Sequence, residues 1–168
     1  MTSEALLLRL AALESENRIR RLMARYMELC DCLDETTPMD ELASLFAVDA
    51  VWRGMGARYA TAFGSHCGRD AIAAMLDAYR GPPPHFAMNA HFLCSESIQI
   101  EGNQAEGQWM MLQTSTYNSG SSDLRAAKLR VGFRIEDGDW RISCFEAENL
   151  FSRPVDKWDS ESKTLVPD

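Results

Sequence analysis

The chain has 168 residues, with 17 basic against 25 acidic side chains, a net charge of −8 and a hydrophobic content of 46%. A chain of that length fits one domain and buries roughly 70% of its unfolded surface without disulfide or metal staples. The acidic balance, with no clustered Lys or Arg, excludes nucleic acid and anionic membranes as expected partners, and no run approaches the ~18 apolar residues of a membrane helix.

The N-terminal stretch carries Glu4 and Arg9 among its leucines. It lacks the basic start, long apolar core and cleavage site of a signal peptide. The five cysteines, Cys30, Cys32, Cys67, Cys94 and Cys144, are odd in number and fit no disulfide framework. Reduced thiols in a cytoplasmic protein are the expectation.

Ser3 is placed to cap a first helix. Leu6, Leu10, Leu13, Ile19, Leu22, Met23, Tyr26, Met27 and Cys30 recur at helical spacing, so a helical stretch is expected to about residue 33, with a break near Ser15. Pro38 opens a second helix with Leu42, Leu45 and Phe46 on its apolar face. Residues 50–53 read as a short strand and 55–63 as its hairpin partner through Gly54 and Gly56. A third helix is expected over 71–79, with Ile72, Met75, Leu76 and Tyr79 on one face. Gly81 and the three prolines after it end that helix.

The period then changes. Residues 86–101, 104–116, 124–136 and 140–150 read as strands, with turns at Gly102-Asn103 and Asp137-Gly138 and a polar loop over 118–123. Helices followed by hairpin-connected strands define an α+β domain, here residues 1–151, with a polar tail over 152–168. Helices closing one face of a curved antiparallel sheet leave a cone-shaped hollow, and a hollow of that kind is a ligand pocket. The expected lining includes Trp52, Phe63, Met75, Phe86 and Met88. Asn89, Trp109, Met111 and Phe145 complete it. Nine Met, seven Phe, four Trp and four Tyr supply a soft aromatic interior suited to a small hydrophobic polycyclic or aromatic molecule.

Several residue groups, taken in order, resemble the SnoaL-like branch of the nuclear transport factor 2-like superfamily. They are IRRLMARYMELCD (19–31), ELASLFAVDAVW (41–52), GRDAI (68–72), HFAMN (85–89) and DGDWRIS (137–143). The nearest resemblance is to its bile-acid 7α-dehydratase, scytalone dehydratase and hexachlorocyclohexane dehydrochlorinase group. That resemblance implies a cystatin-like fold and a cofactor-free lyase using a His–Asp dyad. The family Asp falls on Asp31 and the family His on His85. Tyr26 matches the Tyr that precedes the Asp by five residues in the bile-acid enzyme.

The resemblance further implies that Asp31 orients the His85 ring, that His85 removes a proton from substrate carbon, and that the Tyr26 hydroxyl steadies the developing charge. Phe145 stands where the dehydrochlorinase has an Arg. Gln108 and Trp109 stand near the place of a carboxylate in the bile-acid enzyme. The same superfamily includes ligand-binding domains, structural dioxygenase β subunits, polyketide cyclases and ketosteroid-type isomerases, and its members assemble as homodimers or homotrimers.

The residues add their own constraints. Tyr26 and Asp31 are five apart, a net rotation of about 140° around a helix, so they do not stack on one face. A carboxylate at a helix C-terminus opposes the helix dipole, which marks Asp31 as more than a surface acid; Asp34 is the rival carboxylate in the following loop. His91 shares strand parity with Asn89 and His85 and offers a second polar group for the pocket. His66 and Cys67 lack the partners a metal site needs. Arg130 and Arg134 share an outward face. No glycine fingerprint for a nucleotide and no nucleophile elbow is present, so no cofactor and no metal are expected.

Overall fold

The computed structural model describes residues 2–156. Helix α1 (Ser3–Asp31) is continuous through Ser15, and Thr2 rather than Ser3 caps it by accepting the Ala5 N–H at 3.3 Å. Its second half buries Ile19, Met23, Tyr26, Met27 and Cys30 at helical spacing. A short α2 (Met39–Ser44) follows Pro38, as expected. Phe46 does not belong to that helix: it opens β1 (Phe46–Met55), fully buried, with its ring edge-on to Tyr26 at a centroid distance of 5.5 Å.

The segment expected as a hairpin strand over 55–63 is instead helix α3 (Gly56–Phe63). Gly56, at φ 66°, turns the chain out of the strand, and the helix brings Tyr59 and Phe63 together at 4.8 Å over Trp52. The turn is tight. A Cβ at Gly54 would lie 2.1 Å from the Tyr59 carbonyl oxygen, so only glycine lets β1 pass beneath α3. Gly54 and Gly56 thus serve a strand-to-helix turn rather than a hairpin.

Strand β2 (Ser65–Cys67) and helix α4 (Arg69–Asp77) precede four long strands: β3 (Phe86–Glu101), β4 (Gln104–Tyr117), β5 (Ser122–Glu136) and β6 (Asp139–Val155). The sheet order is β2-β1-β6-β5-β4-β3. Every neighbouring pair is antiparallel except β1 and β6, which run parallel. Asp137 and Gly138 both take positive φ (54° and 85°), the conformation of a type I′ hairpin turn. Irregularities between Phe86 and Met88, Cys94 and Ser97, and Ala126 and Ala127 bend the strands, so the sheet curves around the helices. The tail expected from Ser152 begins later, because β6 continues and pairs Val155 with Ser122. The remainder of that tail, residues 157–168, lies outside the described residues.

The closed end of the sheet holds the core: Phe46, Leu42, Ile72, Leu129, Val131, Phe133 and Ile142, all 2% exposed or less. The open end leaves the hollow. Among the described residues no helix is long and apolar enough to cross a membrane.

Candidate active site

A cavity of about 320 Å³ lies between the concave sheet face and α1, α3 and α4. Tyr26, Met27 and Cys30 reach it from α1, Trp52 from β1, Tyr59 and Phe63 from α3, and Met75 and Tyr79 from α4. The sheet contributes Phe86, Asn89, His91, Met111, Gln113, Arg125 and Phe145. Seven of the expected lining residues are thus in the wall, namely Trp52, Phe63, Met75, Phe86, Asn89, Met111 and Phe145. Two are not. Met88 alternates with Asn89 and faces outward, 36% exposed. Trp109 is buried, but its ring folds over Gly107 and its indole N–H donates to Glu96 at 3.2 Å, in a separate groove between α1 and β3.

Tyr26 and Trp52 sit at the centre of the apolar wall. The indole N–H of Trp52 donates to the Tyr26 hydroxyl at 3.1 Å, and the Trp52 and Phe145 rings stack at 5.6 Å. Burial pushes the Tyr26 phenol well above its ordinary range, so it remains a neutral hydroxyl. Burial likewise pushes the neighbouring Cys30 thiol from 9.0 up to about 12. The unfolded chain releases the Cys30 proton first, so stability falls as pH rises from about 9 to about 12. Urea titrations across that range are expected to show the fall, and Cys30→Ala to lessen it, the buried Tyr26 phenol contributing in the same direction.

Asp31 ends α1 on the side away from Tyr26, as their angular offset requires. Its Oδ1 accepts two bonds from one residue: the ring Nδ1–H of His91 at 2.6 Å and the backbone N–H of His91 at 3.0 Å. The expected Asp31–His85 pair is therefore replaced by Asp31–His91. His85 is exposed at the cavity mouth. Its ring stands edge-on to Tyr79, Phe86 and Tyr117 at 5.2, 4.6 and 5.1 Å. The bend between Phe86 and Met88 separates it from the regular alternation that carries Asn89 and His91 inward.

A carboxylate only accepts hydrogen bonds, so the pairing places an N–H on Nδ1 of His91, and in the neutral ring the lone pair is then on Nε2. His91 borders both the cavity and the outer groove, whereas Asp31 borders the groove alone. Asn89 fixes the two elements that carry the pair. Its amide N–H donates to the Cys30 carbonyl at 3.2 Å, and its carbonyl accepts from Gln113 at 2.9 Å and Ser115 at 2.8 Å.

Gln113, Arg125, Tyr79 and Tyr117 were not singled out from the sequence. Gln113 and Arg125 carried a signal: each occupies an inward position of its strand, where an apolar side chain is the norm. Arg125 donates from Nε to Asp123 at 2.7 Å and from Nη2 to the Tyr117 hydroxyl. Asp34 is a loop residue whose carboxyl, bonded by Thr36, lies below its ordinary range. Arg130 pairs loosely with Glu106 at 3.7 Å, and Arg134 with Glu136 at 2.8 Å. His66 contacts the Phe63 carbonyl at 2.9 Å.

Residues 11–146 match the model of the SnoaL-like domain. The chain belongs to that family. Among solved structures it is similar to an NTF2-like protein with a cystatin-like fold from Novosphingobium aromaticivorans, at 28% identity and a TM-score of 0.69, over 89% of this chain and 90% of the other. A hexachlorocyclohexane dehydrochlorinase of type 3 from Novosphingobium barchaimii matches at 18% identity and a TM-score of 0.72, over 94% and 99% of the two chains. A scytalone dehydratase-like protein from Novosphingobium aromaticivorans matches at 18% identity and a TM-score of 0.70, over 90% and 97%. No curated protein matches the chain. These likenesses establish the fold: N-terminal helices packed on a curved, mostly antiparallel six-stranded sheet.

Proposed function

We propose that the chain is a cofactor-independent lyase of the dehydratase type, acting on a small hydrophobic ring compound. The observation that carries this reading is the Asp31–His91 contact of 2.6 Å at the edge of a largely aromatic and aliphatic cavity. His91, rather than His85, is the general base. Its Nε2 takes a proton from a substrate carbon, and the C–H electron pair becomes the new C=C bond. The C–O bond on the adjacent carbon breaks, and the departing hydroxyl takes the proton back from His91 as water. The dyad ends as it began. Asp31 is a positioning residue: it fixes the tautomer and favours the imidazolium formed midway.

Tyr26 supplies a neutral hydroxyl held by Trp52, suited to donate to a carbonyl or leaving oxygen of the substrate. The fold likeness to dehydrochlorinase and dehydratase-like structures agrees with this reading. The test is proton exchange. Hydroxylated and keto-bearing ring compounds are incubated with the protein in D₂O and followed by mass spectrometry. Deuterium uptake and water loss that both vanish in His91→Ala support the lyase. Uptake without water loss favours an isomerase. Ligand binding with neither leaves a binding protein and overturns the proposal.

The opposite sheet face supports a proposal about assembly. Phe92 pairs with Leu112 across β3 and β4, and Met88 and Met110 extend the same outward face, all at least 36% exposed. An apolar strip of this kind fits pairing with a second copy. Native mass spectrometry is expected to show a homodimer or homotrimer, with Phe92→Glu shifting it toward monomer.

A further inference from the structure

We propose that the substrate carries an anionic oxygen, such as a carboxylate, and that Arg125 binds it; this rests on the cavity being the substrate site proposed above. The register across the concave sheet floor places His91 on β3 opposite Gln113 on β4, and Gln113 opposite Arg125 on β5. These three inward residues form one polar row across an apolar surface. Neighbouring strands lie about 4.8 Å apart, so the backbones of His91 and Arg125 are separated by about 10 Å. A ring compound lying along the row spans from the base to the guanidinium.

The state of Arg125 points to a ligand. A guanidinium has five N–H donors. Nε is taken by Asp123 and Nη2 by the Tyr117 hydroxyl, while Nη1 makes no hydrogen bond among the described residues. The side chain is 24% exposed and lines the cavity along with Tyr79 and Phe86, and its guanidinium lies 5.7 Å from the centre of the Tyr117 ring. A surface ion pair leaves its unused donors to bulk water. Arg125 instead lines the cavity. Among the described residues the buried side-chain polar atom without a partner is Asp123 Oδ1 and not a guanidinium nitrogen, so the unused donors of Arg125 stay open to water or to a ligand held in the cavity. Asp123 balances part of the charge and, with Tyr117, holds the fork in place, so little side-chain freedom is lost when an anion binds. The row therefore separates two tasks, with proton transfer at His91 and anchoring of the anion at Arg125.

The experiment compares 2-naphthoate with its neutral analogue 2-naphthamide by isothermal titration calorimetry at neutral pH. Wild type is expected to bind the carboxylate at least about tenfold more tightly, the ratio expected of a charge-assisted hydrogen bond. Arg125→Gln is expected to bring the ratio to about one while amide affinity is kept, and Arg125→Lys to restore part of the preference. A merely structural Arg125 would change melting temperature and leave the ratio unmoved. His91→Ala is expected to keep the preference while losing deuterium exchange, so failure of the base reading and failure of the anchor are distinct results. Equal affinity of wild type for the two probes, binding of neither, or a preference retained in Arg125→Gln overturns the proposal.

Discussion

Replacing His91 with alanine is expected to lower turnover by roughly 10²–10⁴-fold, the range that a positioned general base contributes, with little loss of stability. The imidazole is partly exposed toward the outer groove and, among the described residues, makes its one side-chain hydrogen bond to Asp31. Removing it frees that carboxylate to water rather than stranding it in the core. Asp31→Asn is expected to fall in the same direction by a smaller factor. An amide can present its N–H₂ to Nδ1 and so favour the tautomer that protonates Nε2, the atom needed as base. The asymmetry between the two histidines is the sharper test. His85→Ala removes an exposed ring that touches Tyr79, Phe86 and Tyr117 and, among the described residues, pairs with no carboxylate. It is expected to change KM by a small factor and to leave deuterium exchange in place. A His85→Ala variant that loses exchange while His91→Ala retains it would reverse the assignment.

The choice between those histidines marks where sequence reading ran out. That Asp31 lies near the C-terminus of a helix and faces away from Tyr26 follows from local geometry, although the helix stops at Asp31 rather than at about residue 33. Which strand residue meets that helix end depends on how β3 docks on α1, and no periodicity within either element encodes docking. The bend after Phe86 compounds the problem, because counting by twos from His85 assumes an unbroken strand. Helix α3 was missed for a related reason. Its short run of Ala, Tyr and Phe reads equally well with period two, and only contact with Trp52 and the close pass at Gly54 decides. The far end of β6 was hidden because Ser152 and Arg153 join the sheet through backbone pairing with β5, which polar side chains do not advertise. By contrast, the long strands β3, β4 and β5 were legible, since their turns at Gly102 and Gly138 demand positive φ and their lengths follow from the turns. Trp109 and Met88 show the limit of composition: large and apolar as they are, one is buried away from the cavity and the other faces outward.

Asn89→Ala is expected to have the largest effect on stability of any polar substitution near the site, and to damage the dyad without touching it. Asn89 lies two residues before His91 on β3 and bonds the carbonyl of Cys30, the residue before Asp31 on α1. It therefore ties together the two backbones that present the imidazole and the carboxylate. Its own side chain is 9% exposed and satisfied on both ends, by the Cys30 carbonyl on one and by Gln113 and Ser115 on the other. Alanine leaves several buried polar groups short of partners, and each orphaned group is worth roughly 1–3 kcal/mol. A net loss of about 3 kcal/mol is expected, because water enters from the cavity and relieves part of it. For a chain of this size that corresponds to a fall in Tm of about 6–12 °C, measurable by calorimetry. Turnover at a temperature where the variant remains folded is expected to drop as well, since the helix end and the strand are no longer fixed at the spacing that sets the Asp31–His91 bond. Asn89→Asp separates the two effects. It keeps an acceptor for Gln113 and Ser115 but places a carboxylate against the Cys30 carbonyl, so the helix end is repelled while the sheet side of the network survives. Equal turnover in Asn89→Asp and wild type would show that the dyad does not depend on this tether.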